Sequence, residues 1–415
     1  MANTITFKNL VIFTFALYLV LDNIGIDITL GHVRADQRLP FHRIYLFLTA
    51  FIFLFNMQQV ITAFLNNKLF VTLILYVLVS SAWSSSPINT VKNFTALLAI
   101  MTISVTVIMV YFNDRRLLIR RLFQLFFIFI FANIVTTLLF PQVCIDTVNF
   151  GYPRWIGITT HPNVLGVTAL VLIWLASNLY FSATSFLKRV TTLIALAMGY
   201  YVILKADSIT SLFSSLAISC YVFYSYKLAN LNFLVKMFTI ISIILIFITI
   251  LGFYKSLPDL ISSILETGGR NATLTGRTKL WRIAFLSIQD HLFFGYGFDD
   301  LRQVTERQYK QRYQMSHLHN GFIEILLKGG IIGIFLLAAT IFRTIYYQFK
   351  LRKKYRYDCI FLNSGLIMII LHNFAESSIL RGTMTIGVFF IFIIVFTNLL
   401  YQHSQYENLD LHTRI

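Results

Sequence analysis

Charged side chains are scarce in this 415-residue chain, at 12% against roughly a quarter in an average soluble domain. Hydrophobic residues make up 57% and aromatic ones 16%, which excludes water as the main solvent. A soluble chain this apolar would display large greasy patches, whereas a bilayer accepts them provided backbone polar groups are paired within helices. Cysteine is scarce too: Cys144, Cys220 and Cys359 fall in a loop, an apolar span and the flank of a basic loop. No disulfide framework or metal-ligand spacing is visible among them. A small-residue cleavage site is missing behind the first apolar segment, so that segment reads as a retained helix rather than a signal peptide. Internal repeats are also absent, which weighs against a multipass transporter or lipid-linked glycan flippase, the rival reading from another functional class.

What is present is positive charge and long apolar runs. The formal net charge is +17, which could suggest nucleic acid, but the basic residues sit in short clusters between apolar segments and form no basic domain. Membrane topology accounts for them, and no nucleic-acid partner is expected. Apolar runs place spans near 10–28, 44–64, 69–83, 94–112, 122–140, 164–181, 190–204, 209–226, 234–253, 322–347, 360–374 and 384–401. The fold class is therefore an all-α, multi-pass membrane protein, a polytopic bundle of about twelve transmembrane helices. Arg115, Arg116, Arg120 and Arg121 mark one loop, Lys188 and Arg189 a second, and Lys350, Arg352, Lys353, Lys354 and Arg356 a third. All three fall on one side, which the positive-inside rule makes cytoplasmic. Both termini are then cytoplasmic, and the loops 84–92, 141–163 and 254–319 lie outside.

The expected organisation is nine spans in 1–253, one large periplasmic loop in 254–319, three spans in 320–401 and a cytoplasmic tail in 402–415. Loops longer than about 15 residues are uncommon without structure of their own, so the large one should be a small subdomain. Within it, 278–291 reads TKLWRIAFLSIQDH, with Leu280, Trp281, Ala284, Phe285 and Ile288 at spacings of three and four. That stripe predicts an amphipathic helix, lying on the membrane surface or packed on the bundle.

The chain then reads SHLHNGFIEILLKGGIIG. His319 and Asn320 stand where the loop enters a helix, and Glu324 and Lys328 form an i,i+4 pair in an otherwise apolar run. Ionisable groups in such a segment are functional candidates because burying them is costly; a purely structural ion pair is the alternative. Gly330 and Gly333 read as close helix packing. A neutral imidazole can take a proton from a sugar hydroxyl at neutral pH, although an interfacial histidine is more often structural.

These residues resemble the signature of the bacterial O-antigen ligase and surface-polysaccharide polymerase family: His, then Asn, Ser or Gln, nine residues, Gly, two residues, then a small residue or Tyr. His319, Asn320, Gly330 and Gly333 fit every fixed position. The upstream TGRTKLWRIAFLSIQDHLFFGYGFDD resembles the Gly-Arg-Thr, Leu-Trp and Gly-Tyr-Gly that often precede the His motif, and ITTHPNVLG at 158–166 and SITS at 208–211 agree. Many relatives place a basic residue within the SITS region where this chain has Ile209; Lys205 is the nearby cation.

The resemblance implies a fold similar to membrane-embedded lipid-linked glycosyltransferases in the cell inner membrane. It implies inverting transfer of a glycan from an undecaprenyl-pyrophosphate donor to a sugar hydroxyl, with no metal and no cofactor. His319 is the implied base and Arg277 an implied pyrophosphate ligand. Asn320 joins the candidate substrate-binding set by its place in the motif. By topology alone, Arg270, Arg282, Arg154, His161 and Arg381 are further candidates for pyrophosphate or glycan binding, because the guanidinium fork suits phosphate oxygens; a solvated or headgroup-facing charge is the alternative for each. Arg381 lies close to His372 and Glu376. Trp155, Trp281 and Tyr296 could stack on sugars, with the interfacial aromatic belt as the default. Asp299 and Asp300 are a weak metal-binding alternative. His161, Pro162 and Asn163 read first as a helix start. The preferred activity is a polymerase of O-antigen, capsule or exopolysaccharide repeats, and the second an O-antigen ligase acting on lipid A-core. The expected partners are the lipid-linked oligosaccharide, the acceptor glycan or lipid A-core and membrane lipids, with a chain-length regulator as a further candidate.

Overall fold

The computed structural model describes residues 2–25, 41–147, 152–228, 271–298, 301, 318–381 and 384–412. Apolar segments that must satisfy their own backbone groups in lipid have one local solution, the helix, and almost every described element is one. They are α1 (Ala2–Val20), α2 (Phe41–Asn66), α3 (Lys68–Val79), α4 (Pro87–Val110), α5 (Arg115–Leu139), the single turn α6 (Pro141–Cys144), α7 (Pro162–Ser182), α8 (Phe186–Lys205), α9 (Ile209–Phe223), α10 (Asn271–Asp290), α11 (Gly321–Leu351), α12 (Arg356–Asn373) and α13 (Thr385–His412). Two-residue strands β1 (Ile145–Asp146) and β2 (Arg154–Trp155) pair antiparallel in the connection between α6 and α7.

Among the described residues, eight helices are long and apolar enough to cross a membrane, and Thr6–Val20 and Lys68–Ala82 are shorter apolar helices. The polytopic all-α expectation holds; the count of twelve is not reached among these residues, and the expected span at 234–253 lies outside them. Helices α7 and α13 form the centre of the bundle: Leu170–Ala176 and Val388–Phe396 are buried without a break. A helix apolar on every face belongs inside a membrane bundle. Trp174 of α7 stacks on Phe361 of α12 at 4.4 Å and meets Phe389 of α13 edge-on at 5.2 Å. At the periphery, Phe47, Leu54, Phe55, Phe186 and Leu187 are among the large apolar side chains left bare for lipid.

The two ends of the bundle differ chemically. At one end Arg115 pairs with Asp358 at 3.2 Å, Lys354 with Glu407 at 2.6 Å and Lys8 with Asp114 at 3.8 Å, and Arg356 donates to the Ser225 carbonyl at 2.9 Å. The basic loops inferred to share a side therefore do share one. The opposite end gathers the connections before α7, α9, α11 and α13.

Helix α11 is not continuous. Gly330 has φ +62° and ψ −163°, a backbone state that in practice only glycine adopts, and the loop segment after α10 fills the break. Tyr296 and Gly297 N–H groups donate to the Leu327 and Lys328 carbonyls at 3.0 and 2.8 Å, and Ile331 N–H donates to the Leu292 carbonyl at 2.9 Å. A Cβ on Gly330 would meet the Phe293 carbonyl oxygen, and one on Gly295 (φ +66°) would meet the Lys328 backbone. The close-packing reading of Gly330 is thus corrected: its hydrogen side chain permits a turn that another segment enters. For Gly333, whose Cβ would find Tyr76 at 3.4 Å, ordinary packing stands. From Ile331 to Leu351 the helix rises roughly 31 Å, one hydrocarbon thickness, and ends at Lys350, Arg352, Lys353 and Lys354. Its first part, Gly321–Gly329, consequently stands at the polar boundary of the opposite face, and Glu324 and Lys328 with it.

Candidate active site

Asn320 starts α11. Its Oδ1 accepts from the Phe322 and Ile323 N–H groups, each at 3.0 Å, satisfying two of the helix's orphan donors. Its own Nδ2 donates to the Phe374 carbonyl at 3.1 Å and its N–H to Ser377 Oγ at 3.2 Å, tying this start to the connection between α12 and α13. Asn320 is thus a structural cap in its observed contacts. Just before it, His319 sits at φ +50°, a left-handed state costing of order 1 kcal/mol that non-glycine residues keep where the surroundings impose it. The other two non-glycine residues at positive φ among those described are Asp207 and Leu380, both in segments of this same end.

His319 Nδ1 lies 3.1 Å from Glu376 Oε2. A carboxylate only accepts, so Nδ1 carries a proton, and in the neutral ring the lone pair is then on Nε2. The other carboxylate oxygen accepts from Asn163 Nδ2 at 2.8 Å. Asn163 in turn accepts through Oδ1 from Arg154 Nη2 at 3.2 Å, which fixes the direction of its amide, because arginine can only donate. Arg154 is 7% exposed and also donates to the Ala206 carbonyl at 2.8 and 3.0 Å and to the Asp207 carbonyl at 3.0 Å. Four connections distant in sequence are thus joined into one hydrogen-bonded line from Arg154 to His319.

The motif pieces meet physically. Gly166 of the HPNVLG stretch packs against Ser208 and Ser211, leaving no room for a Cβ, and Ser208 Oγ donates to Ser211 Oγ at 2.9 Å. His161 caps α7, its Nδ1 accepting from the Asn163 N–H at 3.1 Å. The helix-start reading of this trio is therefore right for His161 and Pro162, while the Asn163 side chain also reaches Glu376. Loss of hydration among surrounding groups, then the charge of Arg154, lower the His161 pKa from its ordinary value, and Glu376 opposes them.

Beneath His319 lies a three-charge cluster. Glu324, 3% exposed, accepts from Arg381 at 2.8 Å and Lys328 at 2.9 Å, and its second oxygen takes the Leu318 N–H at 3.3 Å. Trp281 Nε1 of α10 donates to the Leu318 carbonyl at 2.8 Å. The residue before His319 is thereby held from two sides, and the amphipathic helix of the large loop packs on the bundle through Ala284, Ile288, Leu318 and Leu327.

Of the arginines proposed from sequence, Arg154 and Arg381 belong to this end, their guanidinium groups braced by protein acceptors. Arg282 is exposed on α10. Arg277 lies on α10 in its backbone, with a side chain outside the described set, and Arg270, Asp299 and Asp300 lie outside the described residues altogether. Trp155 is buried edge-on against Tyr201 at 5.5 Å, so its face is not offered to a sugar, and Tyr296 donates to the Ser287 carbonyl at 3.1 Å. Sequence reasoning missed Glu376 and Asn163 as site members. The signal for Glu376 was its rarity, an acid between the last two apolar runs of a chain with 17 acids in all.

An all-α membrane bundle with a histidine–carboxylate pair at the end opposite its basic loops is the class of protein that this geometry defines. Residues 193–338, about a third of the chain, match the model of the family described as O-antigen ligase, in agreement with the resemblance read from the His319 motif. An uncharacterized protein of Haemophilus influenzae is 29% identical over 133 residues, 30% of this chain and 33% of that protein. The exopolysaccharide production protein ExoQ of Rhizobium meliloti is 33% identical over 95 residues, 21% of this chain and 22% of that protein. The aligned part spans a third or less of each relative's length.

Proposed function

We propose that this integral membrane protein is a glycosyltransferase of surface-polysaccharide assembly, moving a glycan from an undecaprenyl-pyrophosphate donor to a sugar hydroxyl at the extracytoplasmic face of the inner membrane. Both termini are then cytoplasmic, since the basic loops lie at the end away from His319. The observation that carries the reading is the His319–Glu376 contact at 3.1 Å: it sets the tautomer in which Nε2 can act as a base, at a half-buried position that an acceptor can reach.

In the proposed reaction, the acceptor hydroxyl gives its proton to His319 Nε2 while its oxygen attacks the anomeric carbon. The bond from that carbon to the pyrophosphate oxygen breaks, the electron pair leaves with the diphosphate, and attack from the opposite face inverts the centre. The imidazolium formed is stabilised by Glu376, as a buried carboxylate stabilises the catalytic histidine of a serine protease. Pyrophosphate is already a good leaving group, so cations suffice to hold it. The motif assigns that task to Arg277, with Arg282 about 1.4 turns further along the same helix and Arg270 before it as companions; Arg381, Arg154 and His161 shape the wall behind.

We favour a polymerase of repeat units over a ligase to lipid A-core, because one relative is named for exopolysaccharide production. His319→Ala in a null strain tests both. Accumulated single repeats on the carrier lipid identify a polymerase, full-length chains stranded on it identify a ligase, and normal surface glycan refutes the proposal.

A further inference from the structure

At the basic end of the bundle the chain turns from α2 to α3 at Asn66–Asn67. This turn packs beside Arg343, which accepts company from few groups: its Nη2 lies 3.5 Å from the Asn66 carbonyl and its Nε donates to Tyr347 Oη at 2.9 Å. Arg343 precedes Lys350 by two turns of α11, roughly 10 Å along the axis, so the turn and the arginine both sit inside the boundary that Lys350 marks. Non-helical backbone at such a level occurs only where protein buries it or a wet cavity receives it.

A cleft of about 210 Å³ lies there, lined by Asn66, Arg343, Tyr347, Asn398, Gln402 and Tyr406 among others. It is amide- and hydroxyl-rich in a region where neighbouring outward side chains are Phe342, Ile345, Tyr346 and Phe349. No carboxylate pairs with Arg343 among the described residues, whereas Arg115, Lys354 and Lys8 at the same end each have one. A cation within a membrane segment needs an anion or water to offset its desolvation. The cleft provides the room, at roughly seven times the ~30 Å³ share of one water.

We infer that this cleft binds a phosphate-bearing anion through Arg343, the fork of the guanidinium holding two phosphate oxygens while the Asn and Gln amides donate to the rest. The cleft reaches from Arg343 to Gln405 and Tyr406, beside the Lys354–Glu407 pair of the basic end, and basic pockets between helices on the cytoplasmic side take anionic lipid headgroups; a free phosphate carries the same chemistry. Along α11 the cleft is more than 30 Å from His319, so it is separate from the proposed active site.

Native mass spectrometry of the full-length, detergent-purified protein tests this with dioleoylphosphatidylglycerol, dioleoylglycerol and inorganic phosphate as probes. The expected result is one retained phosphatidylglycerol per chain, at least tenfold weaker in Arg343→Gln than in Arg120→Gln, the control for exposed basic charge at the same end. Arg343→Lys should fall between, because the charge remains and the fork is lost. Inorganic phosphate bound alone in an Arg343-dependent way would identify the free ion as the source, and phosphatidylglycerol without phosphate the lipid. Equal retention by Arg343→Gln and Arg120→Gln, or dioleoylglycerol bound by the wild type as tightly as phosphatidylglycerol, would overturn the inference. The last comparison needs no variant to fold.

Discussion

Glu376→Gln is the substitution that separates a chemical role of this carboxylate from a merely structural one. The shape at the site is preserved, but the hydrogen-bond polarity is not. Arg154 donates to Asn163 Oδ1 and so leaves Asn163 Nδ2 facing residue 376. A glutamine there must turn its carbonyl to Asn163 and its NH2 to His319 Nδ1. The imidazole then accepts at Nδ1, carries its proton on Nε2 and has no lone pair for the acceptor hydroxyl. The corresponding Asp→Asn change in serine proteases lowers kcat about 10⁴-fold. Here the His319 side chain is 29% exposed and that of Glu376 14%, so water competes for the ring and a smaller loss, about 10²–10³-fold or roughly 3–4 kcal/mol of barrier, is expected. Single-turnover transfer from a synthetic lipid-linked repeat by the purified protein reads it directly, with a melting curve as the folding control. Activity within threefold of wild type in Glu376→Gln, alongside an inactive His319→Ala, would refute the tautomer argument.

Gly330→Ala should destabilise the protein by roughly 3 kcal/mol, from a glycine-only backbone state and a Cβ driven into the Phe293 carbonyl, whereas Gly333→Ala should shift the detergent melting temperature little; equal shifts would contradict the break. Glu324→Ala removes the buried carboxylate that Arg381 and Lys328 share and should cost about 3–5 kcal/mol, while Lys328→Ala, which keeps the Arg381 pair, should cost less in the same thermal assay. Because the His161 pKa is lowered on folding, the unfolded chain binds a proton that the folded chain resists between the two pKa values. His161 therefore contributes a loss of stability as pH falls below about 6.5, and the drop in melting temperature from pH 7.5 to 5.5 should be smaller in His161→Gln.

Much of the architecture was legible because lipid simplifies the problem. Apolar runs of the right length have to be helices, and the clusters at Arg115–Arg116 and Lys350–Arg356 sorted the loops to one end correctly. The amphipathic stripe around Trp281 was readable from spacing, as was the ion pair of Glu324 with Lys328. Three features were not readable. Spacing gave Glu324 one partner, and the structure adds Arg381 from 57 residues away. The glycine at position 330 looked like a packing surface, since nothing local distinguishes a helix-facing glycine from one at φ +62° that admits a foreign strand of chain. Asn163 looked like part of a helix start, because its second contact lies 213 residues on.

The sequence alone determined the solvent, the helical class, the sidedness of the basic loops and the place of His319 at a helix entrance, because each follows from composition or from short-range periodicity. Only the tertiary structure decided which carboxylate faces that histidine, which amide orients the carboxylate, and where α11 opens to receive the large loop. Those are contacts between segments far apart in the chain, and hydrogen-bond direction exists only once the partners have been brought within about 3 Å.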